Sequence, residues 1–427
     1  MKVLLVGGGG REHTLADAIA RSPLLTTLYC APGNAGIAQV AECVDIGAED
    51  LDDLHSFAAA NAIDLTVVGP ERPLIQGLAD RLRADGRLVY GPNAAAARLE
   101  GSKAFTDEIL QKYHLTSKSF VVLDDPDEAK AYIRDHGAPI VVKADGDAFG
   151  KGVRVCTSLA EAEDAVDAIM VRREFGAAGD RVVIEECLFG EECTIKVFTD
   201  GTTVLPMVPS QDHKRIGEGD TGPNTGGMGC CSPVPAVDDA LQERIVNTIV
   251  APTVAAMAAE GAPYSGTLYA GCILTEAGPE LIEYNCRFGD PEAQVVIPRL
   301  ETDLLEVLVA TAQGNLNTLE LDWSDRAAAC VVVASAGYPG SYDKGKQITG
   351  LDEAEADELV KVYHAGTALQ DGEYYTAGGR VLGVTALGSD YDEAFDRAYA
   401  AIDKIHFEGM YCRRDIGWRA RSGFAKR

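Results

Sequence analysis

The sequence has no Cys-x-x-Cys pair, although eleven cysteines are spread from Cys30 to Cys412. Zinc ribbons and thioredoxin-like redox centres need that spacing, and an odd count excludes a fully paired disulfide framework. The thiols therefore read as small buried hydrophobes held in a reducing compartment. No run is as long as the 18 or so apolar residues a membrane-spanning helix requires, so no membrane partner is expected. The opening MKVLLVGGGG meets glycine too early for a signal-peptide core, and a cytoplasmic location is expected. Positive charge is also scarce: 38 Lys and Arg against 66 Asp and Glu leave −28. Such a surface repels nucleic acid and anionic lipid. The acidity fits either solubility or adaptation to salt. It also gives meaning to clustered cations, because a phosphate ligand would need a locally basic site inside an anionic field.

A hydrophobic content of 46% over 427 residues supports ordinary cores in about two to four domains. The patterning predicts an α/β and α+β multidomain chain. Residues 1–100 alternate strands (KVLLV, TLYC, DLTVVG, RLVYG) with helices, among them LIQGLADRLRA, as a parallel sheet does. Ligands on such a sheet bind beyond the carboxyl ends of its strands, at Gly7–Arg11, Pro32–Gly36, Gly69–Arg72 and Gly91–Asn93. Residues 101–190 read as a small lobe with a glycine-rich loop between two strands, and 191–325 as a larger lobe. Residues 326–427 read as a mixed C-terminal unit. The polar stretch 210–232 is expected to be a loop outside any core.

Four constellations carry chemistry. VVKADGDAFGKGVRV (141–155) is not a Walker loop, since Lys151 precedes Gly and a strand follows. It reads as a hairpin flap whose free N–H groups and lysine can close over phosphates, or as an ordinary turn. GGGGREH (7–13) puts Glu12 where a dinucleotide fold needs its third glycine, which speaks against hydride transfer. A single phosphate on its amides and Arg11 stays open. In IEYNCRFGDPE (282–292), Glu283 and Asn285 share one strand face. A carboxylate beside an amide oxygen suits Mg²⁺, with Arg287 next to hold a carboxylate or a phosphoryl charge, while a surface Glu–Arg pair is the bland alternative. SQDHKRIGEGDTGPNTGGMG (210–229) concentrates Asp212, His213, Lys214 and Arg215 among glycines and reads as a substrate loop.

Together, GGGGREH, APGNAG, VVGPE, LEGSKAF, SQDHKR…NTGGMG, NCRFGDPE, HAGT and GGRVL, in order along nearly the whole chain, resemble the phosphoribosylamine–glycine ligases of the ATP-grasp superfamily. The resemblance implies an enzyme that joins glycine to 5-phosphoribosylamine through glycyl phosphate, consuming ATP with Mg²⁺ or Mn²⁺. It implies that Lys103, Lys143 and the flap Gly146, Gly150, Lys151 and Gly152 hold ATP. Glu185, Glu186 and Leu188 would meet adenine, and Glu191 ribose. Glu283 and Asn285 would bind the metal. Arg287, Lys151 and Asp212 would serve catalysis. Gly9, Asn34, Gly69, Glu71, Asp212, Lys214, Arg215, Asn224, Thr225 and Arg287 would line the glycine and phosphoribosylamine pockets. A monomer is expected. Gly8, Asp147 and Phe149 depart from the family pattern. Another ATP-grasp ligase, or a silent nucleotide-binding protein on the same fold, is the competing reading.

Overall fold

The computed structural model describes residues 1–146 and 152–424. Gly150 and Lys151 of the expected flap, with Asp147 and Phe149, lie outside the described residues. Strands β1 (Lys2–Gly7), β2 (Thr27–Pro32), β3 (Glu42–Cys43), β4 (Leu65–Val68) and β5 (Leu88–Tyr90) form a parallel sheet in the order β3-β2-β1-β4-β5. Val3 to Val6 are fully buried, which is why KVLLV is a continuous apolar run and not an alternating one. The strand order reverses at β1, so the crevice beyond its carboxyl end opens between the loops after β1 and β4. The expected helix LIQGLADRLRA is instead two short helices, Glu71–Ile75 and Leu78–Ala84. Gly77 between them has φ +90°, a left-handed conformation that ends the first helix.

Strands β6 (Phe120–Leu123), β7 (Ile140–Ala144), β8 (Val153–Cys156) and β9 (Val182–Glu186) form an antiparallel sheet in the order β6-β9-β7-β8. Helices Pro126–His136 and Leu159–Val166 cover it through Ala129, Ile133, Ala162 and Ala165. Next come β10 (Glu191–Thr199), β11 (Val204–Pro206), β12 (Gln211–Asp212), β13 (Arg215–Gly217), β14 (Thr221–Asn224), β15 (Gly229–Ser232), β16 (Gly266–Thr275) and β17 (Gly278–Asn285). The second antiparallel sheet runs β11-β10-β16-β17. One core joins Leu4 and Val68 through Leu99 and Ile109 to Ile195 and Tyr284, so the N-terminal sheet and this lobe pack as one body.

The C-terminal strands are β18 (Ala327–Ser335), β19 (Gln347–Ile348), β20 (Val360–His364), β21 (Thr367–Gln370), β22 (Glu373–Thr376), β23 (Arg380–Gly388) and β24 (Met410–Tyr411). Their main sheet runs β12-β15-β18-β23-β20, with β24 also on β18. This corrects the reading of 210–232 as a coreless loop. Gly229 to Ser232 are buried and pair with Val331 to Ala328, and Ser210, Gln211, His213 and Met228 are buried as well. Small side chains let β15 lie against the apolar β18, a pairing about 100 residues away in sequence that local pattern does not report. All eleven cysteines are free thiols, eight of them buried. Among the described residues, no helix is long and apolar enough to cross a membrane.

Candidate active site

Two small cavities meet at Ile282 and Glu283 on β17. The first is lined by Lys103, Asp107, Lys143, Glu185 and Glu283. Lys143 on β7 and Glu185 on β9 come from neighbouring antiparallel strands. The Lys143 Nζ lies 2.7 Å from Glu185 Oε1 and donates to the carbonyl of Ile282 at 3.1 Å, which ties the small sheet to the large one. Behind them Lys118 lies 2.6 Å from Glu185 Oε2 and 3.1 Å from Asp107 Oδ1. Two lysines and two carboxylates are thus buried together, an arrangement tolerable only because each charge is paired. Burial pushes the Lys143 ammonium below its ordinary range, against the pull of Glu185. Burial would raise the Glu185 carboxyl, but Lys143 and Lys118 outweigh it and hold the group ionised. Burial and the charge of Glu185 push Asp107 the other way, upward.

At the end of β17 the Arg287 guanidinium donates to Asn285 Oδ1 at 3.1 Å, Glu100 Oε1 at 3.2 Å and Glu71 Oε2 at 3.3 Å. Glu71 starts the helix after β4, so this fork pins the N-terminal sheet to the strand that carries Glu283. Burial pushes Glu71 up, but Arg287 and Arg11 more than offset it. For Glu100, burial wins and the carboxyl rises, while its Oε2 takes the Cys286 N–H at 2.7 Å. Glu283 is the opposite case: despite burial, Lys214, Lys103, Lys143 and Arg287 draw its carboxyl down to about 2.

The second cavity is lined by Glu192, Gln211, Asp212, Lys214, Tyr269 and Glu283. Lys214 Nζ stands 3.8 Å from both Glu192 Oε2 and Glu283 Oε1. Glu191 is exposed and accepts from Gln211 Nε2 at 3.2 Å, so it touches a residue that lines the cavity without lining it itself. Glu186 is exposed and takes the Ser119 hydroxyl at 2.8 Å, so its side chain is turned away from the lysines. Leu188 is half-buried on the connection to β10. Gly146 and Gly152 flank the flap, whose base is closed by the Ala144 N–H on the Gly152 carbonyl at 2.9 Å. Arg215 is exposed and donates to the Gly222 carbonyl at 2.7 Å. Asn224 is its ladder partner, and the Thr225 hydroxyl donates to the Lys214 carbonyl at 2.8 Å. His213 accepts the Gly417 N–H on Nε2 at 3.2 Å, a structural engagement deep under the loop.

At the N-terminal loop, Glu12 fills the place of the third glycine. It accepts the Gly9 N–H at 2.7 Å and Arg11 Nε at 2.6 Å, and a Cβ on Gly69 would sit 2.1 Å from its Oε1. Arg11 also donates to the Phe288 carbonyl at 3.1 Å. The Gly9 amide and Arg11 are therefore already engaged by the protein itself. Asn34 donates to the carbonyls of Gly8 at 2.9 Å and His364 at 2.8 Å, joining this loop to the C-terminal sheet.

Three family models cover the chain: the Phosphoribosylglycinamide synthetase N domain over residues 1–100, the ATP-grasp (A) domain over 101–293 and the C domain over 328–419. The chain belongs to the phosphoribosylglycinamide synthetase family. It is 53% identical over 420 residues to the phosphoribosylamine–glycine ligase of Rhizobium meliloti, covering 98% of this chain and 99% of that one. The crystal structure of phosphoribosylamine–glycine ligase from Thermotoga maritima superposes with a TM-score of 0.86 at 31% identity, over 97% of this chain and all of the other. A biotin carboxylase from Campylobacter jejuni shares the fold, with a TM-score of 0.74 at 14% identity over 96% and 92% of the two chains. The chain is thus a ligase of the phosphoribosylglycinamide synthetase family with an ATP-grasp core.

Among the described residues, no group of three or more His, Cys, Asp or Glu is placed to hold a metal ion. A hard ion that keeps its waters and shares phosphate oxygens needs fewer protein donors, and an ionised Glu283 with the Asn285 amide oxygen fits that demand. Around the residues read from sequence stand several that the reading missed: Glu100, Asp107, Lys118, Lys196, Glu292 and Arg380. Glu100 and Arg380 lie inside the family blocks LEGSKAF and GGRVL, so the signal was present. Lys118, in HLTSKSF, carried none.

Proposed function

We propose that this chain joins glycine to 5-phosphoribosylamine, with ATP giving ADP and phosphate, to form glycinamide ribonucleotide in purine biosynthesis. A glycine carboxylate oxygen attacks the γ-phosphorus and ADP leaves, giving glycyl phosphate. The phosphoribosylamine nitrogen then attacks the acyl carbon, the C–O bond to phosphate breaks, and the nitrogen gives up a proton. Phosphoryl transfer of this kind is mostly positioning and charge neutralisation. Lys103 and Lys143, with the flap from Gly146 to Gly152, hold the phosphates, and Glu185 to Leu188 and Glu191 hold the nucleoside. Glu283 and Asn285 would hold Mg²⁺ or Mn²⁺, which when bound neutralises phosphate charge. Arg287, fixed by Glu71, Glu100 and Asn285, steadies the transferring group, a role that the family motif gives to Lys151 as well. Lys214, Asp212, Arg215, Asn224 and Thr225, with the loops at Gly9, Asn34 and Gly69, receive the other two substrates. The enzyme works as a cytoplasmic monomer.

The observation that carries this reading is Glu283, whose carboxylate is common to a lysine-lined cavity and to the cavity of the Asp212–Lys214 loop. A phosphate donor and an acceptor can then meet at one point. The test is ADP release with phosphoribosylamine generated in the assay. Release that depends on glycine is expected. Preference for another carboxylate would point to a different ligase, and ATP binding without turnover to a silent homologue.

A further inference from the structure

Lys118 is buried on the connection between the helix Lys103–Lys112 and β6, and it stands behind the lysine-lined cavity without lining it. Its backbone is pinned from two sides. Thr116 and Ser117 donate their hydroxyls to Glu280 of β17 at 3.0 and 2.6 Å, and the Lys118 N–H meets Thr116 Oγ1 at 3.0 Å. On the other side the Ser119 carbonyl takes the Glu186 N–H of β9 at 3.2 Å. The ammonium is thereby delivered to the backs of two carboxylates that do line the cavity, 2.6 Å from Glu185 Oε2 and 3.1 Å from Asp107 Oδ1.

The two lysines of this cluster are not equivalent. Lys143 lines the cavity, with its Nζ 2.7 Å from the other oxygen of Glu185. Burial works against both ammonium groups. At Lys118 the charges of Glu185 and Asp107 more than offset it, and at Lys143 they do not. Lys143 is thus the cation short of negative charge, and it is the one that a ligand in the cavity can reach. To meet a phosphate, its ammonium must loosen its hold on Glu185. Were Lys143 the sole counter-ion, that movement would strand a buried carboxylate, which is strongly unfavourable. With Lys118 on the second oxygen, the carboxylate stays paired. We propose that Lys118 is a positioning residue for the nucleotide: it remains on Glu185 as a fixed counter-ion, so that Lys143 can exchange Glu185 for a phosphate of ATP. The inference rests on the function proposed above, which puts Lys143 on ATP.

Steady-state kinetics of the full-length enzyme and of Lys118→Gln test it. The amide keeps a donor near Glu185 and removes the charge. The KM for ATP should rise about tenfold or more, while the KM for glycine changes less than about twofold. A lysine that only holds the core together would not produce that split. An ATP KM equal to that of the wild type, even with a lower melting temperature, overturns the proposal, and so does a parallel rise in both constants. Should Lys118→Gln fail to fold, Lys118→Gln/Asp107→Asn removes one charge of each sign and is compared with Asp107→Asn alone. The same tenfold difference in ATP KM is expected between those two, and equal values overturn the proposal. A wild-type protein without glycine-dependent ADP release overturns the function reading instead. Equilibrium titration with ATP then still decides the role of Lys118, the Kd taking the place of KM.

Discussion

Glu283 is the residue on which both cavities depend, and its low carboxyl range follows from four surrounding cations. Glu283→Gln keeps the volume and removes the charge. ADP release should fall about 100-fold, the order expected when one electrostatic stabiliser is lost from a closed site. Turnover like that of the wild type would remove the metal assignment. Lys118 makes a different demand. It holds two buried carboxylates, so Lys118→Met should cost about 3–5 kcal/mol of stability, because an uncompensated buried charge remains. Denaturant titration measures this, and Lys118→Met/Asp107→Leu should recover much of the loss. Strand alternation in the sequence puts Glu283, Asn285 and Arg287 on one face, whereas Lys143 could be read only from the glycine-rich loop that it borders and from the family motif. Lys118 was not legible, because its partners Asp107 and Glu185 come from a helix and a strand that no local period connects to it.

At the level of elements, the parallel N-terminal sheet could be read from alternating apolar runs, and each expected strand there has its counterpart in the fold. The helix after β4 could not, because leucine and arginine spacing continues across Gly77 while the backbone turns left-handed there. Gly77→Ala meets no close atom, the nearest being Asp80 Oδ2 at 3.6 Å. Its cost is therefore conformational, about 1–2 kcal/mol, and should appear as a lower denaturation midpoint with an unchanged m-value. The segment 210–232 hid its strands for another reason: β12 and β15 are two and four residues long and gain their hydrogen bonds from partners distant in the chain.

For the whole molecule, acid should weaken the joints between domains. His13 on the first helix accepts the His364 N–H of β20 at 2.7 Å on Nδ1. Burial, then His364 and Lys361, pull His13 down to about 3, and burial with Lys361 pulls His364 to about 4. His213, under the Arg413 and Arg419 cations, is also drawn to about 4, burial being the larger cause. Each histidine is neutral in the fold but protonates near pH 6.5 when unfolded. The stability they give is therefore complete above that pH and is lost on descending toward 4. Each contributes a slope of about 1.4 kcal/mol per pH unit in that window. Melting temperatures between pH 5 and 7 should fall with acid, and His13→Asn, which keeps an acceptor that does not titrate, should flatten the curve. The shared β15–β18 ladder has a consequence for dividing this polypeptide. Cut at residue 326 and expressed as two fragments, the front piece would carry every residue around Glu283 yet leave β15 as a raw edge. Reassembly of the fragments, not merely folding of each, would be needed before either substrate found its place.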